Sequence, residues 1–289
     1  MKREARFLII DGYPKQSRDE LERAGMQLAW KLYADMITTH LPEATYDLWL
    51  ASDTSQVLPE GRSLDEYAGV LWTGCNLTIY HEDDERVTRQ IAFAKEAYEV
   101  GVPSFGSCWG LQIAAVAAGG VVKANPKGRE MGIARKIRVT EAGRSHPFLA
   151  GKPLVFDGFI SHVDEVVELP EGATLLAEGL FTRVQAIEVR HAKGVFWATQ
   201  YHPEYDLHEM ARLMVAREPK LVPEGFFRNG ADLEAHVERL EALAAEPDRK
   251  DLRWQLAIDD DILDAKVRQT EVANWVEHLV IPRLEGRAG

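Results

Sequence analysis

Short apolar runs alternate with segments of helical period through the first hundred residues, and this alternation limits the chain to a parallel sheet with crossover helices on its faces. "RFLIIDGY" reads as a first strand. "RDELERAGMQLAWKLYADMITTHL" then places Leu21, Met26, Ala29, Leu32 and Met36 at helical spacing and stops before Pro42. "ATYDLWLAS" and "YAGVLWTG" read as further strands, "EDDERVTRQIAFAKEAYEVG" as a helix with an acidic first turn closed by Gly101, and "VPSFGS" as the next strand. From about Val121 strand-like runs dominate, and beyond Tyr205 the pattern turns helical again. The expected division is therefore an α/β unit over residues 1–205 and a helical extension over 206–289 that packs on it or on a dimer partner, with "REPKLVPEGFFRNG" as a connector. In that extension Trp254 and Trp275 are expected to bury large surfaces, and a role as a substrate lid stays open.

Composition narrows what such a sheet can serve. Acidic residues number 46 against 34 basic ones, a formal charge of -12, and no Lys/Arg block offers a footprint for a phosphate backbone. Nucleic acid is not an expected partner. The two cysteines, Cys75 and Cys108, cannot build a disulfide framework and lack the spacing of a structural zinc site. Nor does any segment reach membrane-spanning length, and the basic start of the chain is interrupted by Asp11 too early for a signal peptide. A cytoplasmic protein without a membrane partner is the expectation. The acidic stretches "YHEDDER" and "DDDILD" sit where helices begin, so they read as caps, and neither a metal nor a cofactor is expected.

Chemistry concentrates in "SFGSCWGLQ". Gly106 and Gly110, two residues to either side of Cys108, let a strand turn abruptly into a helix and expose the side chain between them. At a helix N-terminus the unpaired N–H groups favour thiolate over thiol, which makes the sulfur a competent nucleophile. The other reading of Cys108 is a small buried hydrophobe. A base is available in "ATQYHPEYD": Pro203 holds His202 extended, so Glu204 points where His202 points and can orient the imidazole. Alone, His-Pro-Glu is ordinary loop composition; with an elbow cysteine it completes a nucleophile, a base and an orienting group.

With these residues in hand, the sequence resembles the class I glutamine amidotransferases, most closely the domain type of GMP synthase. The family's Gly-x-Cys-x-Gly followed by Gln matches Gly106, Cys108, Gly110 and Gln112, and its His-Pro-Glu matches His202, Pro203 and Glu204. Two lesser segments agree, "TGCNLTIY" with the turn after the third strand and "SHVDEVVELPEGATLLA" with a Ser-His-x-Asp segment. The resemblance runs from about residue 5 to 205 in the right order and implies a flavodoxin-like α/β fold, a mostly parallel sheet between helices.

The same resemblance implies that Cys108, His202 and Glu204 are catalytic, that main-chain N–H groups of the Gly74–Cys75 turn and Trp109 form the oxyanion hole, and that Gln112, Ser161 and His162 hold the substrate. Where the family has a second glycine and a proline, this chain has Cys75 and Asn76. Glycine tolerates conformations that cysteine resists, so either the turn is ordinary here or the hole forms only with substrate or a partner. Cys75 is expected to fill space beside the site, and Trp109 to cover the mouth of the pocket.

The fate of the nitrogen stays open. No Walker A sequence and no Ser-Gly-Gly-x-Asp-Ser loop occurs, so any synthetase would be a partner chain acting in trans. The motif set favours glutamine hydrolysis, giving glutamate and ammonia for such a partner. A free-standing γ-glutamyl hydrolase or peptidase is the alternative, and a catalytically silent binding protein of the same fold the third reading, against which the intact Cys/His/Glu set argues.

Overall fold

The computed structural model describes residues 4–56 and 62–286, so the basic Met1–Arg3 start lies outside the described residues. Strand β1 (Arg6–Asp11) shows why the sheet is covered on both faces: Phe7 and Ile9 point into one layer, Leu8 and Ile10 into the other, and all four are buried. A strand alternates its side chains, so a continuous apolar run needs cover on each side. The remaining strands are β2 (Thr45–Leu50), β3 (Gly69–Trp72), β4 (Ser104–Ser107), β5 (Val121–Ala124), β6 (Glu130–Val139), β7 (Val155–His162), β8 (Asp164–Glu168), β9 (Ala173–Glu178), β10 (Val184–His191) and β11 (Gly194–Thr199). The main sheet has the order β2-β1-β3-β4-β11-β10-β9-β6-β7, and β5 pairs with β8 separately. Strands β2, β1, β3, β4 and β11 run parallel, and the rest continue antiparallel from β11.

Helices α1 (Lys15–Arg23), α2 (Ala29–His40), α3 (Glu85–Val100), α4 (Trp109–Ala117), α5 (Glu141–Ser145), α6 (Leu207–Leu221), α7 (Gly230–Ala245) and α8 (Lys250–Leu256) surround the sheet. α3 and α4 pack their Val87, Phe93, Leu111 and Ile113 on the face of Leu8, Ile10 and Trp72. α2 covers the opposite face through Tyr33, Met36 and Ile37. The single helix read over residues 18–41 is in fact two, because the chain turns at Gly25, whose φ of 87 admits no side chain comfortably. Part of the stretch read as a connector is helical too, since α6 runs on through Pro219 to Leu221.

After α8 the chain breaks into short turns, Asp260–Leu263, Ala265–Arg268 and Thr270–Trp275, where the spacing had suggested one pattern. Asp264 causes one break: its backbone is extended and its carboxylate caps the next turn through Lys266 N–H. A π turn at Val276–Val280 precedes Pro282, which has no N–H to give a regular ladder. Trp275 is fully buried and packs with Val272, Val276, Val280 and Leu284 against Phe7, Phe105 and Trp197 of the sheet. Trp254 corrects the sequence expectation: it is 87% exposed. Of the two acidic helix starts, the first is a cap, Asp84 accepting from Arg86 N–H at 2.9 Å, whereas Asp259 makes no side-chain cap hydrogen bond.

A buried ionic knot fastens this C-terminal segment. Lys152 Nζ lies 2.9 Å from Glu271 Oε1 and donates to the Val267 and Arg268 carbonyls, with both side chains almost wholly buried. Tyr201 also donates to Glu271, so a residue of the C-terminal turn grips the neighbour of His202. Burial lowers the Lys152 pKa, and Glu271 opposes that shift. Removing one partner strands the other charge in the interior, so Lys152→Met is expected to cost about 3–5 kcal/mol in urea unfolding, and the added change Glu271→Gln to recover part of it. A loss below about 1 kcal/mol would mean that water reaches the pair.

Candidate active site

The chain crosses from β2 on one side of β1 to β3 on the other, so the carboxyl ends of β1, β3, β4 and β11 open onto a switch point, where open α/β sheets bind ligands. Cys108 stands just past β4 and His202 just past β11. Cys108 N–H donates to the Thr199 carbonyl at 2.7 Å, which ties the two strand ends together.

The backbone at Cys108 has φ 52 and ψ -97, a conformation few non-glycine residues adopt. Its flanking glycines permit the turn. A Cβ on Gly106 would meet Trp72 Cβ at 2.8 Å and Gly110 Cα at 2.9 Å, and one on Gly110 would meet the Trp72 carbonyl at 3.0 Å. Strand β3 and helix α4 thus pack directly through the two bare positions, leaving Cys108 at the head of α4. Its sulfur lies 3.6 Å from the Ser161 carbonyl.

His202 Nδ1 and Glu204 Oε1 are 2.6 Å apart, both side chains buried. Burial alone would push His202 down, but the Glu204 carboxylate and Cys108 outweigh it and hold the imidazole pKa at about 10. Nε2 is buried and makes no hydrogen bond to the described residues in this resting geometry. Tyr205 stacks on the imidazole, ring centroids 4.1 Å apart and planes within 4°.

A second tier was not read from the sequence. Ser107 Oγ donates to Glu204 Oε1 at 2.8 Å, and Tyr33 OH donates to Ser107 Oγ at 2.8 Å while accepting from Ser107 N–H at 2.9 Å. The chain Tyr33–Ser107–Glu204–His202 fixes the carboxylate from behind. Ser107 could have been suspected from its place beside Cys108, but Tyr33 lies on α2, and no local pattern links it to the site.

The other candidates fall into two groups. Gly74, Cys75 and Trp109 come to the elbow, and their main-chain N–H groups make no hydrogen bond to the described residues, as first-turn and loop donors often do. Neither Gly74 nor Cys75 has a positive φ, so the turn that replaces a second glycine is ordinary. Cys75 Sγ donates to the Gly12 carbonyl at 2.9 Å, and burial pushes its thiol pKa far up. Trp109 does not cover a pocket mouth: its ring is buried, with Nε1 donating to Gln90 Oε1 at 2.9 Å.

Gln112 and His162 instead brace the Ser161–Asp164 segment. Gln112 Nε2 donates to the Asp164 carbonyl at 3.2 Å, His162 Nδ1 lies 2.9 Å from the same oxygen, and His162 Nε2 lies 3.1 Å from Glu130. Among the described residues no group of three or more His, Cys, Asp or Glu is arranged to hold a metal ion, and no helix is long and apolar enough to cross a membrane.

An elbow cysteine beside a buried His–Glu pair at the carboxyl end of a parallel sheet belongs to amide-cleaving chemistry, and the comparisons agree. The glutamine amidotransferase class-I family model matches residues 66–219. The chain is 30% identical over 289 residues to a γ-glutamyl-L-1-hydroxyisopropylamide hydrolase from a Pseudomonas species, covering 98% of this chain and 96% of that one. It is 31% identical over 155 residues to the GMP synthase of Thermosipho africanus, covering 52% of this chain and only 28% of the synthase. In structure it is similar to a glutamine amidotransferase from Thermotoga maritima, with TM-score 0.68, 19% identity, and coverage of 96% and 99%. The chain belongs to the class-I glutamine amidotransferase family. It is a glutamine amidotransferase-like amidohydrolase with the flavodoxin-like fold of that family.

Proposed function

We propose that the protein is a free-standing hydrolase that cleaves the γ-glutamyl amide of an amine through a Cys108 thioester. The motif set alone had favoured a glutaminase serving a synthetase. End-to-end similarity to a γ-glutamyl amide hydrolase, against similarity to little more than a quarter of a GMP synthase, moves the preference to the alternative. Residues 1–205 carry the chemistry in this reading, and 206–289 are the extension that braces it.

The observation that carries the mechanism is His202, held by Glu204 with Nε2 left unbonded beside Cys108. Cys108 Sγ attacks the amide carbon with its proton already held on His202 Nε2, which a pKa of about 10 keeps protonated at rest. The oxyanion takes hydrogen bonds from main-chain N–H groups of the Gly74–Cys75 turn and Trp109. His202 then returns the proton to the leaving nitrogen, the C–N bond breaks and the free amine departs. Water, deprotonated by the neutral His202, adds to the thioester, and collapse expels Cys108 and releases glutamate. The braced Ser161–Asp164 segment, with Gln112 and His162 behind it, faces the α-amino-acid end of the substrate.

The test is reaction with 6-diazo-5-oxo-norleucine, an electrophile shaped like glutamine, followed by peptide mass mapping. The adduct is expected on Cys108, with Cys75, kept as a thiol bonded to Gly12, unlabelled. Labelling of Cys75 alone would remove Cys108 from the mechanism. Glutamate release from γ-glutamyl amides by the isolated protein separates the two readings, since a synthetase-dependent glutaminase would release it only slowly.

A further inference from the structure

Beside the active-site turn, α1 and α6 enclose a cleft of about 730 Å³. Gln16, Glu20 and Arg23 line it from α1 at the three- and four-residue spacing of one helix face, Arg217 and Lys220 line it from α6, and Asn76 closes the end nearest the Gly74–Cys75 turn. On a chain of formal charge -12, three cations face one carboxylate here.

Arg217 is the informative residue. Its side chain is only 9% exposed, yet its one ionic neighbour, Glu20, stands 3.9 Å away, and it donates no hydrogen bond to the described residues. The stem of Arg217 is buried while its guanidinium opens on the cleft, and five donors in a planar fork suit a carboxylate held by two of them. Lys220 beside it is exposed; partial burial and the neighbouring Arg217 and Arg129 lower its pKa, and Glu224 and Glu20 oppose the shift.

Asn76 lines the cleft and directly follows the Gly74–Cys75 turn, which faces Tyr13. The Tyr13 hydroxyl lies 3.9 Å from where a Gly74 side chain would begin, and that point is 3.0 Å from His202 Cε1. Burial raises the Tyr13 pKa and Arg217 draws it back.

We propose that this cleft is the leaving-group subsite and that the amine released carries a carboxylate, which Arg217 and Lys220 bind: the substrate is a γ-glutamyl amino acid or peptide. This rests on the hydrolase reading above and adds the charge of the amine half. The bound carboxylate supplies the partners that Arg217 lacks, and the shared position of Asn76 in turn and cleft sets the amine beside the oxyanion donors.

The experiment compares kcat/KM for γ-glutamylglycine and γ-glutamylglycinamide, which differ in charge and hardly in shape. The wild-type protein is expected to favour the acid by about tenfold or more. Arg217→Gln, and separately the exposed Lys220→Gln, are expected to bring the ratio toward one. Each ratio is taken on one preparation, so a general loss of folded protein cancels, and Lys220→Gln carries the test if Arg217→Gln does not fold. Equal rates on acid and amide overturn the subsite and leave the hydrolase reading standing, as does a preference for the acid that survives both substitutions. Hydrolysis of neither compound overturns the hydrolase reading and the subsite with it.

Discussion

Cys108→Ala is expected to lower glutamate release by about 10⁴-fold or more while the protein stays folded. The sulfur is the nucleophile in this reading, with the neighbouring Ser107 hydroxyl tied to Glu204 and Tyr33, and without it water must attack the amide directly. Donors and pocket remain, so binding of the γ-glutamyl substrate should survive and some activity above the uncatalysed rate persist. Relief of the strained backbone should be small, because alanine must hold the same positive φ between Gly106 and Gly110. Release assays with an unreacted wild-type standard and a thermal melt of both proteins check this together. Activity within tenfold of wild type would place the nucleophile elsewhere.

Glu204→Gln is expected to lower kcat by about 10³- to 10⁴-fold with KM changed little, since an amide can hold the ring but cannot balance an imidazolium. The same substitution should appear in stability. Folding holds the His202 pKa at about 10, above the ordinary value near 6.5, so the proton it keeps stabilises the native state. That contribution is complete below pH 6.5 and is lost as pH rises through about 10. The difference in stability between wild type and Glu204→Gln, measured by urea unfolding, should therefore be largest at pH 6 and shrink toward pH 10. A difference that does not vary with pH would mean that the pair is neutral in the folded protein.

Much of this arrangement was legible in the residues because it is local. Gly106, Cys108 and Gly110 encode a sharp turn within five positions, and Pro203 fixes the relation of His202 to Glu204 within three. The alternation of β1 to β4 with helices follows from side-chain period, which nevertheless ran α1 and α2 together across Gly25. What escaped reading depends on contacts between distant segments. Tyr33 joins Ser107 across 74 residues, and Arg217 reaches the active-site side of the sheet only because α6 folds back on α1. Trp254 and Trp275 have the same composition and similar surroundings in sequence. One is exposed and the other buried, because only the second meets the sheet face of Phe7 and Phe105.

The burial of residues 270–284 against that face has a consequence for biosynthesis. Every strand, the nucleophile and its base leave the ribosome before the turn bearing Glu271 and Trp275 does. Until then the face of Phe7 and Phe105 is covered only in part, by α2, and Tyr201, next to His202, lacks its anchor. These helical turns therefore act as a latch, closing that face of the core and anchoring the residue beside the base in one step.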